Sequence, residues 1–219
     1  MNHIKEKLSP KGRVEIFTTK GAPKLVLGNM VCAPNGLPPH YDSVEIDFSD
    51  VKVIDTQDIM NIVVNSGKDT LIRALANGSF DIITRMAIGD RGALPSDGSI
   101  PKTPVGTATK LFNEVRREDI DAVVLNIGTA NAHEVKFIKT FSSATIPLTA
   151  YSNQAAPVVN EIGLITANPA ETPFPRVPVT APSAHPADEV LFSIRTFKSV
   201  PFEAANEIAI TIRYTIFID

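Results

Sequence analysis

The stretch ITRMAIGDRGALPSDG, residues 83–98, sets an apolar run directly against a Gly/Asp-rich corner. Asp90 at such a strand end could serve as a general base, and amides around Gly89 and Gly92 could cradle a phosphate. Acid–base work needs a partner, and neither a histidine nor a second carboxylate stands at fixed spacing from Asp90. An aspartate beside glycine after a strand is also an ordinary way to build an Asx-type turn, so a structural corner is expected. The segment NSGKDT, 65–70, places Gly67-Lys68 ahead of a helix. The upstream glycine of a phosphate-binding loop would fall at Ile62, however, and Asp69 occupies the place of the magnesium-holding Ser/Thr. Helix capping is the expected role there.

His3, His40, His133 and His185 are scattered, and none has a second histidine at i+2, i+3 or i+4, so no metal-ligand pair is visible. Cys32 is the single cysteine, which excludes an intrachain disulfide and a cysteine-based zinc set; a buried thiol is expected. No GxSxG-type nucleophile signature occurs, leaving a hydrolase site assembled from distant loops as the enzymatic alternative. The charged stretches NEVRRED (113–119) and NEIGL (160–164) read as solvated rims or salt bridges. No catalytic, cofactor-binding or metal residue is assigned, and a non-enzymatic protein without cofactors is expected.

Charged residues make up 21% of the 219 and the formal net charge is −3. With no clustered Lys/Arg excess to neutralise phosphates, nucleic acid is not expected as a partner. Met1 to Pro10 holds no apolar signal-peptide core, and no run of about 18 apolar residues occurs anywhere. Synthesis in the cytosol and no membrane partner are expected.

The elements that would position these residues are mostly period-two. In 208–218 Ile or Tyr occupies every even position, so one long half-buried strand is expected. Glu189 to Lys198 reads as its neighbour across a short connection, closed by Pro201. Weaker strand patterns lie at 13–18, 24–28, 44–48, 59–64, 81–88, 120–126, 134–141 and 158–166. About ten short strands predict a mainly β protein, an antiparallel β-sandwich or barrel-like body. One short α-helix is predicted from an N-cap at Ser66, with Asp69 in the first turn, to Asn77-Gly78, laying Leu71, Ala74 and Leu75 on a sheet.

Residues 1–10 are expected to form an N-terminal arm and 11–219 a single sandwich-type domain with proline-rich loop excursions at 89–106 and 168–186. Such segments favour extended backbone that must lie against something, here taken to be an adjacent subunit. Met1 to Leu8 and Asn168 to Pro186 are the expected contacts, while Ile210, Ile212, Tyr214 and Ile216 on the inner face stiffen the body, each worth about 1.5–3 kcal/mol of burial.

The order of the pieces carries a resemblance. KGRVEIF, NIVVNSGKDTLIRALANG, ITRMAIGDRG, a proline loop, TKLFNEVRREDI, VKFIKTF and VNEIGLIT follow one another, and this succession, over Lys11 to Thr166, resembles bacteriophage tail-collar fibre and related virion structural proteins. The resemblance implies a virion protein of the tail, collar, neck or baseplate, synthesised in the host cytoplasm. Such a protein forms a ring or trimer and anchors or connects fibres or neighbouring virion proteins. It also places the core strand ending in MAIGDRG beneath the helix, with Gly89 and Gly92 supplying special backbone angles. A carbohydrate-binding β-sandwich used in receptor binding is the alternative, weakened by the absence of Trp and the presence of only three Tyr.

Overall fold

The computed structural model describes residues 11–32, 38–60, 62–77, 82–129, 132–167, 175–180 and 189–217. The strands in chain order are β1 (Lys11–Lys20), β2 (Lys24–Leu27), β3 (Met30–Cys32), β4 (His40–Tyr41), β5 (Val44–Asp47), β6 (Lys52–Met60), β7 (Ile62–Val63), β8 (Ile82–Gly89), β9 (Ala93–Leu94) and β10 (Asp97–Pro101). They continue with β11 (Glu114–Asp119), β12 (Ala122–Thr129), β13 (Ala132–Ser142), β14 (Val158–Ala167), β15 (Val179–Thr180), β16 (Glu189–Pro201) and β17 (Ile208–Phe217), and helix α1 spans Asn65–Asn77.

Two sheets form the expected sandwich. One runs β3-β4-β12-β13-β17-β1-β6 and the other β15-β11-β8-β14-β16-β7. Pairing is antiparallel throughout except between β4 and β12. Between the sheets lies the main core, where the even positions of β17 (Ile210, Ile212, Tyr214) are fully buried against Met86, Ile88, Ile162, Leu164 and Phe192.

The expected hairpin of β16 with β17 does not form. β16 pairs with β14 and β7, while β17 pairs with β13 and β1 in the facing sheet. Between them the chain crosses the sandwich through buried Phe202 and a short 3-10 turn, and Glu207 adopts the left-handed conformation at φ 52°. Across the core the Tyr214 hydroxyl donates to Ser193 Oγ at 2.6 Å, tying the two strands face to face rather than edge to edge.

Both sheets are covered on their outer faces too, and this explains why the odd positions Ala209, Thr211 and Thr215 of β17 are also buried. A ribbon of β2 and β5 lays Leu25 and Val44 on Ala122, Val124 and Ile138. Over the other sheet the chain after β10 seats Leu111 among Ala87, Ile165, Leu191 and Ile194.

The proline-rich excursions therefore depart from expectation where they are described. The 89–106 segment folds onto its own chain, with the amide of Lys102 donating to Gly92 O, Thr196 Oγ1 donating to Lys102 O, and the Asn65 amide donating to Gly106 O. Of 168–186, residues 175–180 run along their own sheet, and β15 pairs with β11. The rest of that segment and the arm Met1 to Leu8 lie outside the described residues.

Helix α1 begins one residue before the predicted cap. Ser66 does not cap it; its hydroxyl donates to Leu191 O at 2.6 Å, and the Val64 amide donates to Phe192 O. The helix thus sits on β16 rather than over β8. Gly67 is required by that approach, since a Cβ there would stand 2.1 Å from Phe192 O. Asp69 falls beyond the first turn, which holds no acidic residue.

Candidate functional site

Three of the motifs in that succession, ITRMAIGDRG, TKLFNEVRREDI and VNEIGLIT, come together in space. β8 is flanked by β11 and β14, and Gly89 stands opposite Glu114 on one side and Glu161 on the other. Two Asn-Glu dipeptides, 113–114 and 160–161, thus bracket the GDRG corner in register.

Glu161 is fully buried at the centre. Its carboxylate accepts the backbone N–H groups of Phe112 at 2.7 Å, Asn113 at 2.8 Å and Arg91 at 3.3 Å. Asn160 binds the corner from the same strand: its Oδ1 accepts the Gly92 amide at 2.6 Å, and its Nδ2 donates to Asp90 O at 3.2 Å. Asp90 accepts from the Ser152 amide at 2.5 Å, the Ser152 hydroxyl at 3.0 Å and Asn113 Nδ2 at 2.7 Å.

The expected Asx-type turn is therefore not the device used, because Asp90 reaches across to Ser152 while Glu161 and Asn160 take the amides of residues 91 and 92. Gly89 and Gly92 also serve otherwise than expected. Neither has positive φ; a Cβ at Gly89 would meet Asn113 O at 2.3 Å, and one at Gly92 would meet Asn160 O at 2.4 Å. Packing room, not backbone angle, demands glycine here.

A second carboxylate accompanies Asp90 in space, Glu161, which no fixed spacing in the sequence links to it. Burial pushes the Glu161 carboxyl up to about 7 against the pull of the Asn113, Phe112 and Arg91 amides, and the charge of Asp90 raises it further. Tyr151 beside them is raised as well, by burial and then by Asp90, and its hydroxyl is buried without a hydrogen-bond partner. A buried carboxyl with a raised pKa next to a second carboxylate is the raw material of acid–base chemistry. Here both Glu161 oxygens are spent on backbone amides and the side chain has no exposed surface, so the pair holds three chain segments together.

Beside this knot lies a buried ion network; of the two readings of NEVRRED, solvated rim or salt bridges, the second holds, and it holds in the interior. Arg117, fully buried, binds Glu114 at 2.6 Å and also Glu189; Glu189 in turn takes Arg85 at 2.9 Å, and Arg85 reaches Asp119 at 3.3 Å. Arg176, from the described part of the proline arm, donates its amide to Asp119 and its guanidinium to Thr84. Burial raises the carboxyls of Glu114 and Asp119.

Openings lie among the described residues as well. An apolar cavity of about 260 Å³ lies between the sheets beside α1, bordered by Leu71, Ile83, Leu125, Val135 and Phe137, with His40 at its edge. A shallower dish of about 420 Å³ is lined by Glu118, Asp119, Asp121, Lys139 and Arg176; Lys139 bridges Glu118 and Asp121 at 2.9 and 2.8 Å.

Cys32 is exposed rather than buried, with its Sγ 3.2 Å from His40 Nδ1. Among the described residues no three His, Cys, Asp or Glu side chains gather as a metal set. His3, His185 and the His133 side chain lie outside them.

The sheet edges form the remaining surface feature. Among the described residues the outer strands of the two main sheets are β15, β7 and β3, of two or three residues each, and β6, of nine. Short edge strands resist pairing with other chains; a long one invites it. β6 exposes Val53, Ile54 and Met60, the last two at 52% each. No known protein family and no curated protein matches the chain.

Proposed function

We propose that this protein is a non-enzymatic structural subunit of a bacteriophage virion, a tail, collar, neck or baseplate component that works as a homo-oligomer and connects fibres or neighbouring virion proteins. The observation that carries the assembly reading is β6, a nine-residue sheet edge with exposed apolar side chains and the longest outer strand of the two main sheets among the described residues. A sheet edge left with its ladder unpaired offers backbone donors and acceptors to a neighbour, although the Thr56 amide of β6 already donates to Asp55 at 2.9 Å. The virion assignment rests on the resemblance of the ordered motifs, and their convergence on one interlocked corner supports a role in shape.

The carbohydrate-binding alternative calls for exposed stacking platforms. Among the described residues Phe112 is the exposed aromatic, and Lys102 Nζ sits 4.9 Å over its ring.

Mass spectrometry and immunogold labelling of particles purified from the producing lysate test the proposal. Multiple copies per particle, with label at one fixed location, are expected. A protein abundant in the lysate and absent from intact particles would overturn it.

A further inference from the structure

We propose that β6 pairs with β6 of a second copy of this chain, antiparallel about a twofold axis through Gln57, joining the two seven-stranded sheets into one. The inference rests on the assembly reading above and names the partner and register.

The strand itself selects the register. Its outward side chains are Ile54, Thr56, Asp58 and Met60, all exposed, while Asp55, Gln57 and Ile59 are half-buried. With Gln57 on the axis, Ile54 faces Met60 of the other copy, so the two large exposed apolar side chains cover each other, twice per dimer. Thr56 faces Asp58 and can donate its hydroxyl to the carboxylate, and Asp58 is already neutralised by Arg13, whose Nε lies 2.9 Å away.

The neighbouring symmetric registers are worse. One sets Asp58 against its own copy, and the other sets Ile54 against Asp58; directly opposed like charges and apolar–charged pairs disfavour a ladder.

The pairing also has a natural end. In the β1–β6 ladder Thr18 stands opposite Asp55 and Thr19 opposite Val53, leaving Ile54 as the extra residue of a bulge. A bulge bends the edge and stops pairing, which confines the backbone ladder to 55–59 and leaves Ile54 to meet Met60 by side-chain contact alone at each end. Such a contact is isologous and closes after two copies, so it gives a dimer where a ring or trimer was expected, and any larger ring needs another surface.

Sedimentation velocity of the full chain, under reducing conditions because Cys32 is exposed, from about 1 to about 100 µM, tests this. Wild type is expected to shift from monomer to dimer, and Ile54→Lys and Met60→Glu are each expected to weaken the dimer at least tenfold. Both positions are half exposed, so the fold should survive, as far-UV circular dichroism and thermal melting will check. An equimolar mixture of the two variants is expected to restore a heterodimer, because it keeps one Ile54–Met60 pair and makes one Lys–Glu pair. Wild type that stays monomeric, or single variants that dimerise normally, would overturn the pairing; in the second case assembly through another surface, and with it the structural role, would still stand. Monomeric single variants that do not rescue each other would overturn the register.

Discussion

Replacing Glu161 with glutamine separates what this side chain contributes by position from what it contributes by charge. In the folded chain its carboxyl ionises near 7, against an ordinary value of 4.5. A carboxyl whose folded value is raised binds its proton more tightly in the native state, so stability is highest below the unfolded value and falls as pH rises from about 4.5 to about 7. At about 1.4 kcal/mol per pH unit, that interval is worth about 3 kcal/mol. Glutamine removes this dependence but keeps one oxygen, which can still accept from the amides of Asn113 and Arg91. Its NH2 group then faces the Phe112 amide, 2.7 Å from Glu161 Oε2, leaving a donor against a donor at a cost of about 1–3 kcal/mol. Urea denaturation followed by far-UV circular dichroism, at pH steps from about 4.5 to about 8, should show Glu161→Gln less stable than wild type at the acid end and the gap closing above pH 7. A gap that stays constant across the range would refute the argument that the charged form of Glu161 is disfavoured in the fold.

Glu189→Ala removes the carboxylate shared by the buried guanidinium groups of Arg85 and Arg117, leaving them Asp119 and Glu114, and should cost about 3–5 kcal/mol in urea denaturation. Gly92→Ala drives a Cβ to 2.4 Å from Asn160 O, and about 1–3 kcal/mol of destabilisation is expected, read as a lowered Tm. Tyr214→Phe removes the hydrogen bond across the core to Ser193 and should cost about 0.5–1.5 kcal/mol, with the near-UV signal of the remaining tyrosines preserved.

The sandwich was legible because β17 alternates Ile and Tyr with smaller or polar residues from Ile208 to Ile216, and a core-facing strand needs little more than that. Its partner was not legible. β16 follows closely in sequence and has the same period, so a hairpin was the economical reading; the buried Phe202 and the left-handed Glu207 that turn the chain across the sandwich have no strong local signature. β6 was seen only from Ile59 onward, since an edge strand keeps Asp55, Gln57 and Asp58 where a central strand would carry apolar residues.

The interlocked corner was hidden by distance along the chain. Asp90 and Asn160 lie 70 residues apart, and no spacing rule links them. The one available signal was the repeated Asn-Glu dipeptide, at the start of β11 and near the start of β14. The proline segments misled for a physical reason: extended backbone must lie against a surface, and composition does not say whose. Where they are described, that surface is their own sheet, because the alternate positions of β8 and β11 carry Arg85 and Arg117, charges that need Arg176, Glu189 and the covering chain to remain buried.

Amide hydrogen exchange of residues 52–60, compared between dilute and concentrated solutions of the full chain, tests the assembling edge most directly. The outward amides of β6 should exchange rapidly in dilute solution and become protected as concentration rises, while β17 stays protected in both. Identical exchange of β6 at the two concentrations would contradict the account.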